Sequence, residues 1–480
     1  HFRERGTFVA NPSGFRQPRV PYRISGRQPA PFRPAPSLGE HTGRASWGPR
    51  QALPALTGRR DPSWPDSESQ DPSLPLAGLR IVDFTAFWAG PAGSHVLAAL
   101  GADVIKVESP RRPDGMRFTT TARPPADRWW EWCPVFHGAN ANKRSVTLDL
   151  NHAEGLEAAK SLIRRADAVM ENFTPRVMEG FGLGWEEVHA LAPQVVMVRM
   201  PGFGLSGPWR DRTGFAQTME QVSGMAWVTG FADGPPVLPR GACDPMAGMH
   251  AAFALLLAVA EARRSGQGQL VEVTMVECAL NAAAEQVVEY SAYGALLGRQ
   301  GNRGPGAAPQ GLYRCRGEES WLALAVETEA QWGGLRAALG DPEWARRPEL
   351  ETAEGRRAAH DDIDGHLASW CRQRPAEEAA ARLWDQGVPA AQVVDPTEIG
   401  RLPQLAARGL FEALDHPVVG RHPVPAVPFR FRSRKRRWLR TPPPTLGQHN
   451  QEVLGSLLGA EALEGLRREQ VAAETLLAPS

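Results

Sequence analysis

The sequence has few of the features that mark disulfide-bonded or metal-binding proteins. Among its 480 residues are only five cysteines, an odd number spread far apart, with no CxxC pair and no Cys/His spacing typical of zinc. Neither a disulfide framework nor a metal site is supported, and a reducing cytoplasm is the compartment that fits this cysteine usage. The cysteines are Cys133, Cys243, Cys278, Cys315 and Cys371.

Net charge and long apolar runs are lacking too. The chain carries 54 basic and 53 acidic residues, so its formal charge of +1 gives it no global attraction to nucleic acid or to an anionic membrane. Its longest apolar run, residues 246–262, contains a histidine and is shorter than the ~20 apolar residues that span a bilayer. We interpret this run as a buried helix, and we expect neither nucleic acid nor a membrane as a partner.

Short apolar runs alternate with helical patterns after residue 76. The run "LRIVDFT" (79–85), a small-residue segment (89–102) and "DVIKVES" (103–109) have the pattern of a βαβ unit. Continued alternation predicts an α/β fold with a Rossmann-like large domain, built on a doubly wound, mostly parallel sheet. Further strands are predicted at 145–150, 167–173, 193–204 and 270–277, and helices at 152–166 and 245–264.

The pattern changes after the Gly/Pro-rich loop "GNRGPGAAPQG" (301–311). A strand is followed there by two helices, which indicates a second, smaller α/β domain. These elements are predicted at 321–327, 329–339 and 355–373. The expected organisation is a linker at 46–75, a large domain at 76–300, a small domain at 301–405, and a return to the large domain with a C-terminal helix at 406–480.

A three-part sequence repeat links the two ends of the chain. "RGTF" (5–8), "PRVPYRIS" (18–25) and "PSLGEHT" (36–42) recur in the same order as "RGLF" (408–411), "PVPAVPFRF" (423–431) and "PTLGQHN" (444–450). Residues 1–45 therefore have the composition of the end of one module, and 76–480 that of a whole one. We interpret the chain as the C-terminal module of a tandem fusion, and expect residues 1–45 to lack the neighbours that would fold them.

Asp244 stands out just before the longest predicted helix. With Asp244 as N-cap and Pro245 at the first helical position, the residue is typical of a plain helix start. A carboxylate at a helix N-terminus is also placed where its negative charge is stabilised. Local sequence alone leaves both interpretations open. The turn after the first strand, residues 89–93, does not match GxGxxG, so dinucleotide binding is weakly supported.

Several segments together resemble the class III CoA-transferases, the group of formyl-CoA transferase and carnitine-CoA transferase. The resemblance extends over about residues 76–455, and its seven parts occur in the family's order. These parts are residues 75–110, "NKRSVTLDL" (142–150), "ADAVMENFTP" (166–175), "PGFGLSGP" (201–208), 230–258 with "GACDPMAGMH" (241–250), "SGQGQLVEVTMVE" (265–277) and "HPVVGRHPVPAVPFRF" (416–431).

The resemblance implies that the chain moves CoA from an acyl-CoA to a free carboxylic acid, through anhydride and aspartyl-CoA thioester intermediates. Asp244 matches the family's nucleophile, which forms these covalent intermediates. No tightly bound cofactor is implied, because acyl-CoA is itself a substrate. Relatives form interlocked homodimers, so the expected assembly is an interlocked homodimer or a fused pseudo-dimer.

Other residues match family positions that contact the substrate. Phe87, Trp88 and Ala89 match the segment that lines the thioester site, and Asn172 and Phe173 match residues that hold CoA. Arg144 and Arg176 could meet CoA phosphates. The loop 301–311 matches a mobile glycine-rich loop over the intermediates. Each also has an ordinary structural alternative: a core aromatic, a strand-end turn, a solvated arginine or an interdomain linker.

The sequence also departs from parts of the family. Residues 213–217, "TGFAQ", lack the acidic or tyrosine residue of many relatives, which puts an oxalate/formate pair in doubt. The Gly-His-Asp of the racemase branch is absent here as well. An acyl-CoA racemase or epimerase of the same fold, and a non-catalytic CoA-binding half of a fused pair, remain the alternatives.

Overall fold

The structure, a computed structural model, describes residues 1–28, 30–49, 71–120, 126–432 and 437–478. Its strands are β1 (Phe8–Ala10), β2 (Arg16–Pro18), β3 (Tyr22–Ile24), β4 (Arg80–Asp83), β5 (Asp103–Glu108), β6 (Arg144–Thr147), β7 (Ala168–Glu171), β8 (Val196–Arg199), β9 (Leu270–Val273), β10 (Gln310–Arg314), β11 (Trp321–Ala325), β12 (Ala390–Gln392), β13 (Phe411–His416) and β14 (Gly420–Pro425).

Helices separate most of these strands. They are α1 (Ala89–Ala99), α2 (Pro134–Asn140), α3 (Ala153–Ile163), α4 (Pro175–Gly180), α5 (Trp185–Leu191), α6 (Ala216–Val222), α7 (Met225–Val228), α8 (Cys243–Ser265), α9 (Met275–Ala282), α10 (Ala284–Tyr293), α11 (Glu329–Leu339), α12 (Ala353–Ala358), α13 (His360–Cys371), α14 (Ala376–Trp384), α15 (Pro403–Arg408), α16 (Gly455–Leu458) and α17 (Ala460–Arg468).

A seven-stranded sheet has the order β3-β9-β8-β7-β4-β5-β6. The six strands from β9 to β6 are parallel, and β3 pairs antiparallel with β9 at one edge. The chain starts at β4, fills one side through β6, and then crosses to β7 on the other side. The predicted parallel-dominated α/β sheet is confirmed, and β4 and β7 flank the point where strand order reverses. In such sheets ligands bind outside the carboxyl ends of these two strands.

Apolar layers cover both faces of this sheet. Strands β5, β7 and β8 are buried along their whole length, which explains why they appear in the sequence as short continuous apolar runs. One layer packs α1 and α8 on the sheet, with Leu97, Ala251 and Leu255 in its core. The other packs α3, α5 and α17, with Leu162 and Val188 in its core.

Two compact units divide the chain. The larger consists of residues 1–226, 238–297 and 409–480, and the smaller of 227–237 and 298–408. Within the smaller unit, the antiparallel sheet β10-β11-β12 packs against helices around the fully buried Trp332.

Two predicted elements end differently from their sequence patterns. The strand predicted at 270–277 stops at Val273, because Thr274 is the N-cap of α9 and "MVE" already belongs to that helix. The helix predicted at 355–373 is two helices, α12 and α13, which are separated by the non-helical Ala359. Apolar pattern alone does not distinguish a buried strand from the buried first turn of a helix.

Residues 1–25 have neighbours in this chain, contrary to the expectation for residues 1–45, whereas the described residues from 26 to 45 are exposed. β1 and β2 form a hairpin, and β3 extends the large sheet as its edge strand. The fully buried side chain of Arg5 donates to Glu272 at 2.8 Å and to Glu277 at 3.0 Å. Arg19 also pairs with Glu277, at 2.5 Å. The sequence missed these contacts because the partners lie more than 250 residues away.

Helix α8 is long and apolar enough, by length and composition, to cross a membrane. Its buried residues, however, pack in the protein core against α1 and the sheet. This agrees with the interpretation of the segment as a buried helix. The five cysteines are all free and buried.

We predict that Arg5→Ala strongly destabilises the larger unit. It leaves the carboxylates of Glu272 and Glu277 buried with less compensating charge, which typically costs about 3–5 kcal/mol. Chemical denaturation monitored by circular dichroism measures the effect. Arg3→Ala, at an exposed position of the same segment, is the matched control and should be near neutral. Equal midpoints for the two variants would contradict this account.

Candidate functional site

The carboxyl ends of the paired strands β4 and β7, where strand order reverses, mark the place where a ligand crevice is expected in such a sheet. The loop after β4, residues 84–88, and the residues after β7 meet there. The side-chain carbonyl of Asn172 accepts from the Ala86 N–H at 2.8 Å, and its amide donates to the Ala86 carbonyl at 2.8 Å. Asn172, at the end of β7, thus holds the β4–α1 loop through two hydrogen bonds to Ala86. The structure therefore brings together residues 87–89 and Asn172, which the sequence analysis had named as candidate site residues.

Phe87 occupies a strained backbone position in this loop. Its φ of 63° lies in the left-handed region, which costs a non-glycine residue about 1–3 kcal/mol. The Asp114 carboxylate offsets this cost by accepting from the Phe87 N–H at 2.7 Å. The buried Lys106 ammonium holds both the loop and that carboxylate, at 2.7 Å from the Thr85 carbonyl and 2.8 Å from Asp114. Buried charges therefore preset the loop conformation.

Trp88 and Ala89 connect the loop to the start of α8. Trp88 is the N-cap of α1, and Ala89 is buried as the first residue of that helix. A Cβ placed on Gly241 would lie 3.0 Å from the Trp88 ring, so the indole packs directly against the turn that precedes α8. Gly241 also has φ +97°, a conformation that favours glycine. Trp88 is consequently placed beside the nucleophile candidate rather than deep in the core.

A glycine-to-glycine contact joins α1 and α8. A Cβ on Gly93 would lie 2.5 Å from the Gly248 carbonyl oxygen, and a Cβ on Gly248 would lie 2.5 Å from the Ala89 carbonyl oxygen. The two backbones can approach this closely only without side chains. Gly248 and Asp244 are four residues apart and so share one face of α8. The contact therefore holds Asp244 near the β4–α1 loop.

Asp244 is the second residue of α8 rather than its N-cap. The helix begins at Cys243, because Ala242 already has helical φ and ψ of −55° and −29°. In the described part of the chain the Asp244 carboxyl group accepts from no backbone N–H of α8; the Cys243 thiol donates to its Oδ1 at 3.7 Å. Asp244 is only 8% exposed. The carboxyl group is thus available for chemistry instead of being used to cap the helix.

The environment of Asp244 favours its neutral form. Burial raises the pKa of Asp244 to about 6; the Cys243 contact opposes this shift and the charge of Glu220 adds to it. Desolvation therefore outweighs the stabilisation that a helix N-terminus offers a carboxylate. Burial and the neighbouring Asp244 also raise the pKa of the Cys243 thiol, so this cysteine stays a neutral neighbour.

Glu220 is a site residue that the sequence analysis missed. It is fully buried on α6, and its Oε1 accepts from the Gly241 N–H at 2.7 Å. Its Oε2 is buried without a hydrogen-bond partner among the described residues. Residues 213–217 hold no acidic side chain, and Glu220, three residues further on in α6, is the carboxylate that faces the turn before α8. The available signal was its spacing, since Ala216, Met219 and Glu220 form the buried face of α6.

Arg144 is not at this crevice. It is the first residue of β6, the edge strand two strands away from β4, and it is buried in ion pairs with Asp103 and with Glu452, the latter at 2.7 Å. The prediction that it contacts CoA phosphates is therefore unsupported, because its guanidinium is committed to carboxylates. Arg176 differs: it is exposed in the first turn of α4.

Phe173 follows Asn172 but packs mainly into the apolar layer around α3 and α5. Its backbone N–H donates to Glu171 at 2.8 Å. The glycine-rich loop lies in the smaller unit, where Arg303 pairs with Asp361 and Asp364, each at 2.6 Å. The mobility of this loop stays a prediction.

One group of possible metal ligands occurs in the described part of the chain. His152, Glu154 and Glu469 have ligand atoms within 4.8 Å of one another, and both glutamates are exposed. They lie at the start of α3 and after α17, so they contribute nothing to the crevice.

Comparison with known proteins identifies relatives over most of the chain. Residues 76–450 match the model of CoA-transferase family III. The chain is 35% identical to the succinyl-CoA–D-citramalate CoA-transferase of Chloroflexus aurantiacus over 82% of this chain and 96% of the relative. It is 32% identical to the beta subunit of that organism's succinyl-CoA–L-malate CoA-transferase over 83% and 98%. A CAIB/BAIF family protein from Brucella suis matches in structure with a TM-score of 0.70 at 29% identity, covering 82% of this chain and 99% of that one.

Gly93→Ala should destabilise the fold by about 1–3 kcal/mol or more, because its Cβ would overlap the Gly248 backbone. The free energy of unfolding in urea is the measurement. Gly465→Ala, in α17 of the same unit, is the control: its Cβ has only one ordinary contact, so it should be neutral or up to about 1 kcal/mol stabilising. A Gly93→Ala protein as stable as Gly465→Ala would refute the close contact.

Asp244→Asn should stabilise the protein at pH 8. A folded-state pKa near 6, above the ordinary 3.8, means that the stability contributed by this group is present below about pH 4 and lost as the pH rises through 6. Removing the charge should therefore gain of order 2–3 kcal/mol at pH 8 but only about 1 kcal/mol at pH 4.5, where the folded-state carboxyl group is still protonated. Urea unfolding at both pH values tests this, with the exposed Asp211→Asn as control. A pH-independent effect of Asp244→Asn would argue against a buried, neutral-prone carboxyl group.

Proposed function

Since this chain belongs to CoA-transferase family III, we propose that it moves CoA from an acyl-CoA thioester to a free carboxylic acid with Asp244 as nucleophile. Membership of the family makes the chain an enzyme that transfers CoA. The observation that carries the proposal is the buried carboxyl group of Asp244 in the first turn of α8, which is not used as a helix cap. Trp88 packs against the turn that precedes this helix.

The proposed reaction proceeds in four covalent steps. An Oδ of Asp244 attacks the thioester carbonyl, the C–S bond breaks, and CoA leaves as a thiolate from a mixed anhydride. The thiolate then attacks the aspartyl carbonyl, which releases the donor acid and leaves an aspartyl-CoA thioester. The carboxylate of the acceptor attacks that thioester and forms a second anhydride and free thiolate. Attack of the thiolate on the acceptor's acyl carbonyl yields the new acyl-CoA and restores the Asp244 carboxylate.

The surrounding residues support these steps in ways that the geometry suggests. Partial burial limits access of water to the anhydrides, which are prone to hydrolysis. The N–H groups of the first turn of α8 favour the negative charge that develops near Asp244. Phe87, Trp88 and Ala89 form the end of the β4–α1 loop and the start of α1, and the thioester would lie against them. Asn172 holds this loop in place. We propose that Phe173 and the exposed Arg176 bound the CoA side of the crevice.

Relatives suggest the first substrates to try. Of the two Chloroflexus aurantiacus relatives, one is named as a succinyl-CoA–D-citramalate CoA-transferase and the other as a subunit of a succinyl-CoA–L-malate CoA-transferase. We propose succinyl-CoA as donor probe and small dicarboxylates as acceptor probes. We place the enzyme in the cytoplasm.

We propose that the active assembly contains two transferase modules, interlocked as a homodimer or as the halves of a tandem fusion. One relative is named as the beta subunit of its enzyme, which supports an assembly of distinct chains. The repeat of residues 5–42 at 408–450 supports the fused arrangement.

Asp244→Asn should lower CoA transfer from succinyl-CoA by at least about a thousandfold, because the amide cannot form the anhydride. Initial rates of acceptor-CoA formation, followed by liquid chromatography, measure this loss. Asp211→Asn is the control and should keep the wild-type rate. Transfer by Asp244→Asn at the original rate would exclude the mechanism. Solvent deuterium entering the α-carbon of the acyl group without any acceptor would indicate a racemase instead.

The rate should also depend on pH through Asp244. Only the ionised carboxylate attacks, so kcat/KM should fall about tenfold per pH unit below the Asp244 pKa of about 6 and be flat above it. The charge of Glu220 raises that pKa, so Glu220→Gln should shift the acidic limb to lower pH. An acidic limb that stays in place or moves to higher pH in Glu220→Gln would contradict the assignment.

A further inference from the structure

Both copies of the sequence repeat fold into an antiparallel hairpin that starts at the same repeat positions, and the second hairpin is the longer one. We call residues 5–25 the first closing segment and 408–432 the second closing segment. In the first, Phe8 faces Pro18, and in the second, Phe411 faces Pro425, which are the positions that the repeat aligns. An equivalent backbone hydrogen bond joins the open ends of each hairpin. The Arg19 N–H donates to the Thr7 carbonyl at 2.9 Å, and the Ala426 N–H donates to the Leu410 carbonyl at 2.7 Å.

The first closing segment is docked on the edge of the large sheet. Its Arg5 enters a polar pocket formed by Glu272, Glu277 and Thr274, donating to the Thr274 hydroxyl at 2.8 Å in addition to both carboxylates. Its Tyr22–Ile24 then pairs antiparallel with β9. The first closing segment is thus anchored by the buried ion pairs of Arg5, which give specificity, and by the hydrogen bonds between β3 and β9, which set the register.

The second closing segment has the same anchors without the same contacts. Arg408 matches Arg5 and is exposed. Phe429 and Phe431 match Tyr22 and Ile24, and each is 37% exposed. In the described part of the chain, these two residues belong to no strand. Both rings pack at the surface against Trp438, with ring centroids 5.3 Å and 5.5 Å apart, so the second segment carries these docking elements outside any sheet.

An exposed apolar stripe adjoins the occupied edge. Met249, Phe253 and Leu257, spaced four residues apart on α8, are 42%, 53% and 43% exposed. The ring of Phe253 lies 6.1 Å from that of Tyr22 in the docked first segment. An apolar helix face of this kind, continuous with a docked strand, is typical of a protein interface.

We infer that the second closing segment docks on a partner transferase module, at the sheet edge that is equivalent to β9 in this chain. Arg408 would enter the pocket that corresponds to Glu272 and Glu277, and residues 429–431 would extend the partner's sheet. The first closing segment is the counterpart, supplied by such a module to the β9 edge of this chain. Each module then completes the sheet edge of the other, and the α8 stripe lies at their interface. The inference rests on the proposed pairing of modules.

The β9 edge of this chain serves as the test site. Tyr22 and Val273 face each other between the flanking bonds from Thr274 to Pro21 and from Ser25 to Leu270. Such non-hydrogen-bonded antiparallel pairs have Cα atoms about 4.5 Å apart, within disulfide range. The full chain carrying Val273→Cys is incubated with a peptide of residues 408–432 that carries Phe429→Cys, activated as a mixed disulfide. The adduct is quantified by mass spectrometry.

Register and charge provide the controls. The Phe429→Cys peptide should give at least about fivefold more adduct than a Phe431→Cys peptide, which matches Val271 instead. Adding Arg408→Glu to the peptide should lower the yield. Running the same reactions in an Arg23→Pro background, checked for folding by circular dichroism, removes a hydrogen bond between β3 and β9 without touching the buried ion pairs, and should raise all specific yields.

A first-segment peptide (5–25) with Tyr22→Cys is the positive control. No adduct with the 408–432 peptide in either background where the 5–25 peptide reacts would overturn the inference, as would equal yields for the two cysteine positions. The readout involves no catalysis, so its failure leaves the role of Asp244 unaffected.

Discussion

The contact between Gly93 and Gly248 is the constraint on which the candidate site depends. Because neither residue has a side chain, α1 and α8 approach until backbone atoms touch, and this places the first turn of α8 next to the loop that follows β4. Asp244 lies four residues before Gly248, so the packing of the α8 backbone places its carboxyl group, to which the Cys243 thiol donates at 3.7 Å. The helix contact thus fixes where the reactive side chain starts.

Burial then sets the chemical character of that side chain. A helix N-terminus would lower the pKa of an aspartate, but desolvation and the nearby Glu220 raise the pKa of Asp244 to about 6. A carboxylate with this pKa is ionised at neutral pH and still poorly solvated, which suits a nucleophile. The buried Lys106 and Asp114 meanwhile hold Phe87 in its strained conformation, so charges outside the crevice preset its shape.

The sequence allowed prediction of elements that depend on local pattern. Buried parallel strands appear as short apolar runs, so most of the large sheet was predicted from residues such as those of β4, β5 and β8. Helix starts were less accessible: Asp244 has an N-cap's sequence context, yet Ala242 takes that position. The burial of Arg144 between Asp103 and Glu452, the packing of Glu220, and the docking of Arg5 depend on residues distant in sequence, and no single-sequence pattern encodes them.

The central claim is that Asp244 becomes covalently acylated. Its most direct test is to incubate the wild-type enzyme with succinyl-CoA and hydroxylamine, which converts an aspartyl anhydride or thioester into a stable hydroxamate, and to locate the modification by peptide mass spectrometry. The account predicts a hydroxamate at Asp244, formed only when acyl-CoA is present, together with loss of activity. A hydroxamate on another residue, or full catalytic turnover with Asp244 unmodified, would contradict it.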